Sequence, residues 1–161
     1  MSYALRLKKV SKGNFTLPLI PLSLHQKLRK LAKKKTSRSK IVKNLDAVFS
    51  RFIRLRAANL DGFVECYTCG RSYEVKKIQN GHFMSRARYA TRWHEDNCRP
   101  QCYGCNVMQQ GRQYDFGLNL DREREGLADE MHQLSLTTVK FATWELEEKL
   151  AYYRAKVKEL E

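Results

Sequence analysis

Cys66-Tyr67-Thr68-Cys69 and Cys102-Tyr103-Gly104-Cys105 form two Cys-x2-Cys knuckles in a chain of 161 residues with five cysteines. They constrain the fold more than any other feature. Zinc prefers four ligands in a tetrahedron, thiolates suit it, and a two-residue gap lets both sulfurs of one knuckle reach the same ion. Cys66, Cys69, Cys102 and Cys105 are therefore expected to hold one structural zinc that contributes to folding outright. A shell of four thiolates leaves no open position for substrate, so any chemistry has to sit elsewhere. Two disulfides are the alternative, and they need an oxidising compartment that nothing in the sequence marks.

Between the knuckles, His82 is followed fifteen positions later by Asn97, and Asn97 nine positions later by Asn106. This H-x14-N-x8-N pattern resembles the HNH nucleases, in which a ββα-metal hairpin carries a catalytic His on its first strand, an Asn on its second and a metal-binding His or Asn on the next helix. The run Leu45-Asp46-Ala47-Val48-Phe49-Ser50, then Ile53 to Arg56, the two knuckles, Gly81-His82-Phe83, Asn97, Gln101 and Gly111 narrows this further. In order and spacing over about residues 40 to 160 it is similar to the phage NinG (Rap) family, described as structure-specific endonucleases acting on branched DNA.

That resemblance implies an α+β fold: a zinc-stapled, treble-clef-like HNH core flanked by N- and C-terminal helices. It also implies that His82 is the general base and that Asn97 fixes the hairpin and the imidazole. Asn106 falls where the family pattern has a metal ligand, and its amide oxygen suits Mg or Mn. A short helix is expected over about Tyr103 to Gln110, and Gln110, at i+4 from Asn106, would share its face. From the residues alone, the alternatives are that His82 is a zinc ligand or a structural histidine, Asn97 a turn residue, and Asn106 a helix cap. The chain departs from the family pattern at Gly81, where many HNH proteins have an acid or His, and at Met108-Gln109, where NinG-like proteins often have His-Lys. His94, Glu95 and Asp96 are further candidates for the cation's shell, and Cys98 reads as a buried thiol or an alternative ligand.

Charge points to a partner. Residues 1–60 hold sixteen Lys or Arg against Asp46 alone, whereas residues 113–161 hold seven against eleven acids. A basic N-terminal third favours a polyanion, and DNA is the default because its phosphate contacts release counterions. Lys33, Lys34, Lys35, Arg54, Arg56, Arg86, Arg88 and Arg92 are the candidate phosphate contacts. A membrane partner is disfavoured: Leu17 to Leu24 is short and broken by Pro18 and Pro21. Reduced thiols and the lack of a targeting signal are expected to go with the cytoplasm, the host's if the chain is a phage protein.

The expected organisation is a basic arm over 1–40, with a short helix after Ser23, and a second domain over 41–161. In the second domain the apolar period predicts a helix over 41–58, a zinc core over 62–112 with hairpin strands at 75–83 and 94–99, and helices at 121–134 and 143–160. Leu146, Leu150, Tyr153, Val157 and Leu160 form a heptad-like stripe that can pack on the chain's own core or support a homodimer. Trp93 and Trp144 read as core. The expected function is hydrolysis of phosphodiester bonds in branched recombination intermediates, Holliday junctions and D-loops. The alternatives are a non-catalytic zinc protein that binds DNA junctions as a recombination accessory, and an RNA-binding zinc protein.

Overall fold

A computed structural model describes residues 36–161. The proposed arm, its short helix and Lys33 to Lys35 lie outside the described residues.

Ser37 opens helix α1, Arg38–Arg56, by accepting the Lys40 amide on its hydroxyl at 3.4 Å. The helix therefore starts three residues before the expected boundary, because the hydroxyl satisfies an amide that the first turn leaves unpaired. Its buried stripe is Ile41, Leu45, Phe49, Phe52 and Ile53. This stripe packs on Leu146, Leu150, Tyr153 and Val157 of the last helix, Thr143–Glu159, with Phe49 edge-on to Tyr153 at 4.8 Å. Each of these large side chains gains roughly 1.5–3 kcal/mol on burial. The heptad-like stripe thus packs inside the chain and gives no support to a dimer, while Leu160 stays exposed.

After α1 the chain makes two small antiparallel hairpins. Strands β1 (Phe63–Glu65) and β2 (Ser72–Glu74) hold the first knuckle in their turn, where Gly70, at φ +70°, donates its amide to the Cys66 carbonyl. Sequence patterning missed this hairpin because three-residue strands are too short to show a period. Strands β3 (Gln79–His82) and β4 (Cys98–Gln101) pair Gln79 with Gln101 and His82 with Cys98. They are shorter than expected, and β4 lies several residues further on. The segment between them contains one helical turn, α2, Tyr89–Arg92.

The second knuckle leads into a π-helical turn, Gly104–Met108, and not into a helix reaching Gln110. Gln110, Gly111 and Arg112 all adopt positive φ, which reverses the chain into α3, Gln113–Glu123. Helix α4, Leu127–Leu136, follows Gly126 at φ +76°. The single helix expected over 121–134 is broken there, since a left-handed residue ends the helical path. Phe116, Leu120, Leu127 and Met131 form a core between these two helices, and Tyr67 and Phe83 pack onto it. The final helix, α5, is Thr143–Glu159.

The architecture is α+β, with the knuckles at its centre. Trp93 is core at 5% exposure, but Trp144, at 65%, is on the surface of α5. Among the described residues, no helix is long and apolar enough to cross a membrane.

Candidate metal centre and active-site cleft

The β1–β2 turn and the segment after β4 bring the four knuckle cysteines together, with all four Sγ atoms within 4.8 Å of one another. Tetrahedral zinc, with bonds of about 2.3 Å, needs sulfurs separated by about 3.8 Å. The Cys69 to Cys102 separation is 4.0 Å. Donor number, type and spacing therefore fit a structural ion such as zinc. The Cys102 amide reaches Cys66 Sγ at 3.3 Å and the Cys105 amide reaches Cys102 Sγ at 3.4 Å, as suits thiolate acceptors. Burial would raise the Cys66 thiol, but the Cys102 amide and the Thr68 hydroxyl pull it to about 6. Among the described residues no other group of three or more His, Cys, Asp or Glu side chains is placed to hold a metal. Cys98 lies outside this cluster, fully buried in the α1–α5 core, and burial pushes its thiol up to about 12.

Beside the knuckles lies an open cleft of about 870 Å³. Helix α1 supplies Ser50 and Arg54 to it, β3 supplies His82, the following loop Arg86, and the second-knuckle segment Asn106 and Gln110. His82 is half-buried at the end of β3. Its Nε2 is 3.2 Å from the Arg92 carbonyl, which can only accept, so Nε2 carries the hydrogen and Nδ1 is left unprotonated. Burial, reinforced by the Arg86 charge, lowers the imidazole to about 4 against the pull of the Arg92 and Asn80 carbonyls. The ring is neutral at pH 7.

The Asn97 side chain is hydrogen-bonded to Met84 and Thr91 and not to His82. Its Nδ2 donates to the Met84 and Thr91 carbonyls, both at 3.0 Å, and its Oδ1 accepts the Met84 amide at 2.6 Å. It is fully buried and pins both ends of the segment from Met84 to Thr91; the next carbonyl along is the one that holds His82. Asn106 Nδ2 donates to Gln79 Oε1 at 2.7 Å, and this fixes which way the amide points. Gln110 reaches the same cleft from a left-handed backbone position, not from one helix face. Glu95 pairs with Arg56, Asp96 lies 4.0 Å from Arg99, and His94 Nδ1 accepts the Asp96 amide, so none of the three lines the cleft.

The arginines divide. Arg54 is braced by the Ser50 and Val75 carbonyls and lines the cleft, and Arg86 lines it from the loop after β3. Arg54, Arg86 and Arg88 make no ion pair among the described residues. Arg56 and Arg92 are instead held by carboxylates, Arg56 by Glu95 at 2.6 Å and Arg92 by a two-pronged pair with Asp46. Their guanidinium groups are engaged by carboxylates within the fold.

Sequence reading gave no site role to Asp46, Ser50 or Gln101. Asp46, Ser50 and Arg54 recur every four residues along α1 beside its apolar stripe, and Asp46 is the sole acid of the first sixty residues. That pattern was the available signal. Gln101, fully buried, donates to the Gly111 carbonyl at 2.8 Å, and no local pattern marks it.

The family model described as Bacteriophage Lambda NinG protein matches residues 23–161. No curated protein and no solved structure matches the chain.

Proposed function

The chain belongs to the phage NinG family, and with the recombination-related role this suggests as premise, we propose that it is an endonuclease cutting branched DNA, such as Holliday junctions and D-loops. The observation that carries the proposal is His82, neutral and with Nε2–H held by the Arg92 carbonyl, at the edge of a cleft flanked by Arg54 and Arg86. Hydrolysis of a phosphodiester needs a base for the attacking water and positive charge near the phosphorane. His82 Nδ1 takes the proton as water attacks phosphorus, the bond to the leaving oxygen breaks, and that oxygen takes a proton from solvent. Arg54 and Arg86 orient the phosphate, and Arg88 contacts the flanking backbone. Asn97 acts one step back by holding the segment whose carbonyl orients the base. On this proposal, β3, β4 and the π-turn would serve as the two strands and the helix of a ββα-metal unit.

Mg or Mn, when bound, would stabilise charge on the leaving oxygen. Asn106 and Gln110 offer it amide oxygens, but among the described residues no carboxylate lines the cleft, so phosphate oxygens of the substrate would complete its shell. The same lack favours a second proposal, a non-catalytic zinc protein that binds DNA junctions in recombination.

Incubating the protein with a labelled four-way junction and its matched linear duplex, in Mg or Mn, separates the two. Junction-selective cuts are expected. Tight junction binding with no cuts in either metal would leave the accessory role.

A further inference from the structure

The carboxylate of Asp46 saturates three donors from one short stretch of chain. Its Oδ1 accepts Arg92 Nε and Trp93 Nε1, each at 2.9 Å, and its Oδ2 accepts Arg92 Nη2 at 2.6 Å. The pair is partly shielded, with side-chain exposures of 26% for Asp46 and 18% for Arg92. Charge-assisted, two-pronged pairs of this kind hold geometry as well as energy, unlike exposed single-contact pairs.

We infer that Asp46 is a positioning residue for His82, an inference that rests on the proposed role of His82 as the base. The main-chain carbonyl of the same Arg92 is the one that takes His82 Nε2–H. Asn97 clamps this stretch from one side through the Thr91 carbonyl, and Asp46 clamps it from the other through the Arg92 guanidinium and the Trp93 indole. The third prong of Arg92, Nη1, donates to the Arg86 carbonyl at 3.1 Å, so the clamp also fixes the backbone of a cleft arginine. Asp46 stands with Ser50, Asn80, His82 and Arg86 around a recess of about 60 Å³ off the cleft. With its three hydrogen bonds already made inside the fold, its role there is to set the tautomer and direction of the imidazole.

The test uses the full chain with zinc bound. Proton–nitrogen NMR of the His82 ring is recorded for wild type and Asp46→Asn, alongside junction cleavage, junction affinity and zinc content. Wild type should show a protected Nε2–H and a bare Nδ1. In Asp46→Asn the protected proton should be lost or the two tautomers mixed, and cleavage should fall roughly tenfold to a hundredfold. Affinity should stay within about twofold, since no phosphate contact is removed. An Asp46→Asn protein that keeps the protected Nε2–H and the wild-type rate overturns the inference. If Asp46→Asn loses zinc or fails to fold, Arg92→Lys, which keeps the charge but not the fork, is read by the same signature and decides in the same way. A wild type that never cuts, but whose His82 proton responds to the variant, removes the endonuclease function and leaves the positioning role standing.

Discussion

Gln101 pairs with Gln79 across the β3–β4 hairpin, and its side chain lies over Gly81, so a Cβ built on Gly81 would stand 2.1 Å from Gln101 Oε1 and 2.7 Å from its Cγ. The sequence read Gly81 as a missing acid, a defect in a metal site. In the fold it is the space that lets the Gln101 side chain pass over β3 to the Gly111 carbonyl and tie β4 to the end of the second knuckle.

Gly81→Asp is therefore expected to damage the protein without restoring a metal ligand. The new side chain runs into Gln101, and moving Gln101 breaks a buried hydrogen bond. Crowding and that loss together should cost about 2–4 kcal/mol in a denaturant melt. Wild-type stability with tighter Mn binding would show that Gln101 yields and that the close approach is unimportant.

The two classes of arginine should separate in opposite directions. Arg86→Ala should weaken junction binding several-fold and lower the slope of log affinity against log salt by about one. Its stability should change by less than about 0.5 kcal/mol. Arg56→Ala removes the ion pair to Glu95 and one of two donors to the Glu95 and Cys98 carbonyls, which Arg99 still reaches, and should cost about 1–2 kcal/mol with binding nearly intact.

Acid should destabilise the fold through His82. The folded imidazole sits at about 4, below the ordinary 6.5, because burial opposes its charge. Between those values the unfolded chain binds the extra proton, so stability is intact above 6.5, falls as pH drops through that window and levels off below about 4. The total is on the order of 3 kcal/mol, and His82→Gln should flatten that part of a pH–stability curve. The cleavage rate should likewise lack a His82 limb between pH 8 and 6.

Zinc removal should be the most severe perturbation. A structural zinc site is worth roughly 10–16 kcal/mol near neutral pH, comparable to the whole stability of a domain. Cys66→Ser or Cys102→Ser should lose the ion and the cooperative melt. Cys98→Ser should keep a full zinc content and cost only about 1–3 kcal/mol for a buried hydroxyl.

What the sequence made legible was local. Two-residue spacing exposed the knuckles, and a 3.6-residue period exposed α1 and α5, because both signals lie within a few neighbouring residues. Arg56 and Arg92 read as free cations because their partners, Glu95 and Asp46, stand 39 and 46 positions away along the chain. Gly126 looked tolerable inside one long helix until its positive φ split α3 from α4. Trp144 looked like core on residue type alone, whereas the inward face of α5 is set by Leu146, Leu150, Tyr153 and Val157. The likeness at His82, Asn97 and Asn106 gave their order, but only tertiary structure reveals that Asn97 reaches His82 through the Thr91–Arg92 stretch.

The most direct test compares wild type with His82→Ala in single-turnover cleavage of a labelled four-way junction, with zinc measured on both proteins. Loss of the base should slow cutting by about a hundredfold or more. Zinc content and junction affinity should match wild type, because His82 holds neither the ion nor the phosphates. A variant that cuts at the wild-type rate, or that loses its zinc, would contradict a structural metal centre and a separate His82 cleft.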